Sequence, residues 1–364
     1  DVATLFFGVS LGSLQLVDLA RDLVALAGTL GDVPQLPAQA EALRAAAAEL
    51  LASLGEPARR EPWPGRLPAR FAAALQAIRD GLAVLAPALE ALEGRSTDLD
   101  NAAARVALLQ GRLAPFLAES QADQVRWIDV RPRSCTLHAS PVDVAPLFTE
   151  RFARAGRACV FTSGTLAVAG QFGHYVQRLG LSDARTLALP GGFDYRERAL
   201  LYLPPDLPEP SDPGYTDALV DAALPVLRAS RGRAFMLFTS HSALRRAATR
   251  LRHVEGFTLL VQGERPNGEL LAQFRRATAP VLLGTGSFWQ GVDVRGEALS
   301  CVIVDKLPFA SPGEPIVAGR IAHLRARGQD PFNDYQLPHA VITLKQGLGR
   351  LIRDAADRGV LMVG

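Results

Sequence analysis

The chain has 364 residues, 48% of them hydrophobic, with a formal net charge of +2. That length predicts two or three folded units, and that charge is no nucleic-acid signature by itself. No run approaches the ~18 unbroken apolar residues of a membrane span and no basic leader opens the chain, so the reading is a soluble, cytoplasmic protein with no membrane partner.

Residues 1–110 carry 13 acidic and 9 basic groups, a net of −4, which leaves +6 for the remainder. Lys306 and Lys345 are the lysines, so the positive charge is almost all arginine; a GC-rich coding bias suffices to explain that. The three cysteines, Cys135, Cys159 and Cys301, have no C-x-x-C spacing and predict neither a metal site nor a disulfide framework.

In chain order, residues 1–120 repeat Ala and Leu with helical period over 16–30, 38–54, 67–92 and 97–117. Pro/Gly clusters at 31–37 and 55–64 punctuate the repeats, which predicts a bundle of four antiparallel helices. From about 126 the pattern changes to strands at 126–130 and 134–139, a helix over 144–155, and an apolar strand over 158–163. A Pro-rich connector at 203–214 follows. Beyond it come strands at 234–239, 258–261, 280–284, 299–305 and 360–363, with helices at 242–253, 270–277 and 340–352. Strands alternating with helices predict an α/β fold whose parallel sheet is covered on both faces and binds ligands at its carboxyl ends.

Four segments are chemically suggestive. The stretch 161–166, FTSGTL, ends an apolar run in hydroxyls and a glycine free for hydrogen bonding, although in isolation it reads first as an ordinary strand-to-helix turn. At 238–242, FTSHS, the hydroxyls could grip a phosphate or cap the next helix. The glycine-rich 284–293, GTGSFWQGVD, lets backbone approach a phosphate, or is simply a loop. Finally, 346–354 reads QGLGRLIRD; on one helix, Gln346, Arg350 and Arg353 would share a face. Two guanidiniums and an amide suit a nucleoside triphosphate, whereas a solvated basic helix end needs the same residues. No Gly-Lys-Ser/Thr loop and no Asp-Glu dipeptide occur in the sequence.

Taken in order, these segments resemble the C-terminal portion of a superfamily 2 DNA helicase of the XPD/DinG group, closest to bacterial DinG and YoaA. TSGTL at 162–166 resembles motif III, LFTSHSAL at 237–244 motif IV, GTGSFWQGVDVRG at 284–296 motif V, and QGLGRLIRD at 346–354 motif VI. The stretches DKLPFASPGEP at 305–315 and DPFNDYQLPHAVITLKQ at 330–346 strengthen the likeness.

The resemblance implies an arch-like helical insertion at 1–120, the end of a first motor domain at 121–171, and a RecA-like second motor domain at 172–364. It implies a 5′→3′ helicase that uses ATP and Mg2+, with an iron–sulfur cluster possible upstream but none in this chain. The chain is then expected to be a fragment without Walker A and DEAH elements, inactive alone. Its partners would be single-stranded DNA and a replication or repair protein, and a purely partner-recruiting module is the alternative. Arg353 becomes the expected arginine finger, with Arg350 beside it and Gln346 reaching the γ-phosphate. Gly349, Gly291 and Asp293 are expected near the nucleotide; Thr239, Ser240, Thr285, Ser163 and Thr165 are expected on the DNA strand.

Overall fold

A computed structural model describes the chain except residues 1–2, 119–122, 156–157, 190–192, 290–293, 295 and 355. The chain divides into two compact units. The first contains residues Asp1–Gly156, and its elements are β1 (Val9–Gly12), α1 (Ser13–Leu30), α2 (Gln35–Leu54), β2 (Arg59–Pro62), α3 (Ala69–Glu90), α4 (Thr97–Leu117), β3 (Gln124–Arg131), β4 (Ser134–Pro141) and α5 (Ala145–Ala155).

The four long helices form because apolar residues recur every three or four positions. Leu16, Leu19 and Leu23 line α1; Leu36, Ala40, Leu43 and Leu50 line α2; Phe71, Leu75, Ile78 and Leu82 line α3; Leu99, Val106 and Leu113 line α4. Each helix packs on its successor, and α4 closes the bundle on α1. The ends are marked chemically. Ser96 caps α4 by accepting from the Leu99 amide at 3.2 Å, and Asp98 and Asp100 sit in its first turn. Gly31 ends α1 at φ 72, a left-handed conformation that glycine adopts without penalty.

Strand β2 falls in the α2–α3 connection and pairs with β3, giving an antiparallel sheet of order β1-β4-β3-β2. Ile128, Val130, Cys135, Leu137 and Ala139 from this sheet are buried in the same core as the helices. Packing therefore does not break near residue 120, where the sequence changes character. A sheet with alternating apolar positions must cover one face, and the bundle covers it.

The second unit comprises Arg157–Gln177, Leu181–Ala310 and Asp330–Gly364. After α6 (Gly173–Leu179) come α7 (Tyr195–Arg198), β5 (Ala199–Tyr202), α8 (Tyr215–Ala229), β6 (Ala234–Leu237), α9 (His241–Leu251), β7 (Thr258–Val261), α10 (Asn267–Arg276), β8 (Pro280–Gly284), α11 (Gly286–Trp289) and β9 (Cys301–Val304), then, after α12 (Pro315–Ala326) of the first unit, α13 (Leu337–Leu348) and β10 (Gly359–Val363). Every strand pair is parallel, in the order β5-β10-β9-β6-β8-β7.

Alternate residues of the central strands point to opposite faces. Ala234, Met236, Val281, Leu283 and Ile303 pack with α8 and α9. Phe235, Leu237, Leu282, Val302 and Val304 pack with Phe274, Phe288, Trp289 and Leu351 on the other side. From β6 the chain turns first toward β7 and β8, then crosses to β9 and β10 on the other flank. The carboxyl end of β6 is thus a topological switch point, where sheets of this kind open a crevice.

Helix α12 belongs to the first unit, which also includes Ser311–Gln329. It lies on β3: a Cβ built on Gly319 would stand 2.0 Å from Val125 Cγ2, so glycine is required there. Arg60 of β2 pairs with Asp129 on β3 at 2.5 Å and with Glu314, at the start of α12, at 2.6 Å.

Two predicted elements differ. Residues 158–163 form no strand, and Val160 is 88% exposed, because no described strand lies beside this apolar run to pair with it. The helix predicted over 340–352 stops at Leu348. Gly349 closes it through its amide to Lys345 O at 2.9 Å, and Leu351 and Ile352, beyond the helix end, are both buried in the core.

Candidate functional site

The four sequence segments lie far apart in the chain, yet contacts inside the second unit join them in series. Lys345 near the end of α13 reaches Ala167 O at 3.1 Å and so holds α13 to the loop that follows Ser163 and Thr165. Gly347 presses against Trp289; a Cβ there would be 2.9 Å from the indole. The Trp289 ring nitrogen donates to Phe238 O at 3.4 Å, and Thr285 Oγ1 meets His241 Nε2 at 3.4 Å. The result is a continuous series of contacts around the carboxyl ends of β6 and β8, to which the end of α13 and the residues after it contribute Lys345, Gly347 and Arg350.

Within it, hydrogen-bond donors are already assigned. Thr239 gives its hydroxyl proton to Asp305 Oδ2 at 3.0 Å, while its amide points at both Asp305 oxygens. Asp305 is 2% exposed and also accepts from the Lys306 amide at 2.8 Å. Burial pushes its carboxyl above the usual range, against the pull of those hydrogen bonds. Thr285 gives its amide (2.6 Å) and hydroxyl (3.2 Å) to Gln262 Oε1, and its hydroxyl oxygen lies 3.4 Å from His241 Nε2. Ser240 accepts from the Ala243 amide at 3.1 Å as the cap of α9 and lies 3.0 Å from Ser242 Oγ. The hydroxyls of Ser163 and Thr165 are 3.1 Å apart, and the Thr165 amide donates to Ser163 Oγ at 3.2 Å.

The arginines do not share a helix face, because only Gln346 lies within α13. Arg350 is a bridge: its Nε donates to Gln346 O at 3.1 Å and a terminal nitrogen to Trp289 O at 3.0 Å, which ties the α13 end to α11. Arg353 stands in the loop before β10, half-buried, with its amide donating to Asp357 Oδ2 at 2.9 Å. Gly349 is the α13 cap. Gly291 and Asp293 lie outside the described residues. Trp289 and Phe288 are 4% and 0% exposed, so both are core side chains rather than stacking platforms. Among the described residues, no group of three His, Cys, Asp or Glu could hold a metal ion.

Sequence reading missed Asp305, Gln262 and Asp357. Asp305 had a signal: an acidic residue directly after four apolar strand positions lands at a strand end, where a buried carboxylate needs donors. Gln262 and Asp357 had none, since their partners are defined only by the fold.

The Helicase C-terminal domain family matches residues 223–364. The chain is 42% identical over 365 residues to the ATP-dependent DNA helicase YoaA of Escherichia coli, covering 100% of this chain and 57% of the relative. It is 40% identical to the Haemophilus influenzae YoaA, again over 100% of this chain and 57% of that protein. The chain belongs to the DinG/YoaA-type helicase family. It spans 57% of the length of these YoaA relatives and matches the family's C-terminal helicase region. Among solved structures, Xpd4 of S. tokodaii is similar with a TM-score of 0.58 at 16% identity, over 99% of this chain and 68% of that one. An apo XPD gives 0.59 at 12% identity, over 98% and 68%. At those identities the likeness concerns the fold, which is RecA-like with a preceding helical segment.

Proposed function

We propose that this chain is the C-terminal motor portion of an ATP-dependent helicase that moves 5′→3′ on single-stranded DNA in repair or replication. The helical segment 1–120 would be the arch-like insertion, 121–171 the end of the first motor domain and 172–364 the second. The observation that supports the reading is the run of contacts inside the second unit that links the four segments around the carboxyl ends of β6 and β8, through Lys345 on Ala167 O, Gly347 against Trp289 and Arg350 on Trp289 O.

ATP is the substrate whose phosphates these groups would meet, and magnesium would be held by residues other than those described. In that site Arg353 stabilises the charge that spreads over the transferring phosphoryl, and Gln346 orients the γ-phosphate. Arg350, already joined to Gln346 O and Trp289 O, transmits nucleotide state to α11, with Gly349, Gly291 and Asp293 in the same coupling path. On the DNA side, Ser163, Thr165 and Ser240 meet phosphates directly. Thr239 and Thr285, whose protons go to Asp305 and Gln262, act by fixing the backbone and by aiming His241. Such contacts position a strand without reading its sequence. A replication or repair protein is the proposed second partner.

Replacement of Arg353 by Ala in the full-length enzyme should lower DNA-stimulated ATP hydrolysis by about 10³–10⁵ while single-strand binding stays within about twofold. Hydrolysis at the wild-type rate would remove Arg353 from its role.

A further inference from the structure

The loop bearing Arg353 has no regular secondary structure, and a guanidinium that acts on a transition state must be held to within about 0.5 Å. Two constraints hold this one. On the amino-terminal side, Leu351 and Ile352 are 2% and 5% exposed and sit in the core beneath the sheet. On the other side stands Asp357, 7% exposed, whose Oδ2 accepts from the amides of both Arg353 and Asp354, each at 2.9 Å. The loop is closed further by the Asp357 amide on Asp354 O at 3.1 Å and the Ala356 amide on Asp354 Oδ1 at 3.2 Å.

Asp357 lies two residues before β10, which pairs with both β5 and β9. That junction is tight: a Cβ on Gly359 would stand 2.4 Å from Ser300 O and 2.6 Å from Leu351 Cδ1. Asp357 therefore stands on a fixed base, and one carboxylate oxygen transfers that rigidity to the peptide on each side of the Arg353 Cα.

We propose that Asp357 is the positioning residue for Arg353: it fixes the backbone from which the guanidinium reaches the nucleotide and does not itself touch the nucleotide. This rests on the reading of Arg353 as the residue that meets the transferring phosphoryl. Deleting a carboxylate that organises a loop lowers turnover by loosening the group it holds, whereas ground-state nucleotide binding, made by other groups, persists.

The test uses the full-length enzyme and four variants: Arg353→Ala, Asp357→Ala, Asp357→Asn and Asp357→Glu. Asn keeps an oxygen that can accept both amides; Glu keeps the charge but displaces the oxygen by a methylene. D357A and D357E should lower kcat for DNA-stimulated ATP hydrolysis at least tenfold, with KM for ATP within about twofold, and D357N should retain most of it. Affinity for ADP–aluminium fluoride, a transition-state mimic, should fall in parallel while affinity for ADP is unchanged. The double variant R353A/D357A should be no slower than R353A alone, because the two residues act as one unit.

Full kcat in D357E with loss in R353A would overturn the positioning role and leave the Arg353 reading standing. Full kcat in R353A would overturn both. Should D357A fail to fold, the contrast between D357E and D357N decides, since both preserve a polar side chain of similar size.

Discussion

Asp305 accepts the hydroxyl proton of Thr239 at 3.0 Å, and this bond joins the ends of two adjacent strands, β9 and β6. A threonine hydroxyl has one proton. While that proton is on Asp305, Thr239 can accept from a ligand but cannot donate to a phosphate. Thr239→Val keeps the side-chain shape and deprives a buried carboxylate of one donor. Urea titration should show a loss of about 1–3 kcal/mol. An unchanged midpoint would mean that the hydroxyl contributes nothing to the fold and is available to DNA.

The same carboxyl sets a pH dependence. Burial raises it above the ordinary range despite the bonds from Thr239 and Lys306, so the folded chain holds this proton to higher pH than the unfolded chain does. Its stabilising contribution is complete below the unfolded value of about 3.9 and is lost as pH rises through the folded value. Asp305→Asn removes the titration and keeps an oxygen for Thr239. Relative to that variant, the wild type should lose unfolding free energy as pH increases above the unfolded value of about 3.9. A difference that does not change with pH would contradict the burial argument.

Two glycines should respond oppositely to alanine. At Gly347 a Cβ would lie 2.9 Å from Trp289 Cε3 and 3.0 Å from Cζ3, against a ring that is itself buried. Gly347→Ala should cost about 1–3 kcal/mol through overpacking. Gly268 in α10 has nothing within 4 Å of its Cβ position, and there alanine should stabilise by up to about 1 kcal/mol through helix propensity. Thermal unfolding of the two variants compares them directly. Equal shifts would show that helix propensity, not contact with Trp289, governs Gly347.

Thiol chemistry should separate the three cysteines. Burial pushes Cys135 up to about 11 and Cys301 up to about 12, while Cys159 is exposed. The thiolate is the reactive form, so a native-state titration with an aromatic disulfide should modify Cys159 rapidly and the other two only on unfolding. Three thiols reacting at one rate would mean that both cores open readily.

Much of the fold was legible because periodicity reports burial. Leu16, Leu19 and Leu23 announce a helix face, and the apolar runs 258–261 and 280–284 announce buried strands. Strand β2, RREP, was illegible: its residues have no apolar alternation, and it exists because β3 offers an edge. Strand β5 and helix α8 were also missed, on either side of the proline-rich stretch 203–214 that read as a connector, and α12 was not read as an element at all. At the site, the residue types were visible but not their commitments. The spacing of Gln346, Arg350 and Arg353 suggested one helical face, whereas glycines at 347 and 349 weaken the helix and it ends at Leu348 with Gly349 as its cap. The partners of Thr239, Thr285 and Arg353 are 66, 23 and 4 residues away, and only the last separation is local.

The excursion of α12 has a practical consequence for anyone cutting this protein into pieces. Its seat is Val125 of β3 and its tether is Arg60 of β2, both contributed by the first 156 residues. A recombinant piece limited to 223–364 would retain α12 while discarding its seat, together with strand β5 and the first half of α8. The residues that lie on the sheet would then face water, and the sheet would expose a freshly unpaired edge at β10. Such a piece invites aggregation, so expression boundaries should follow the packing of β2, β3 and α12 rather than the span of recognisable motifs.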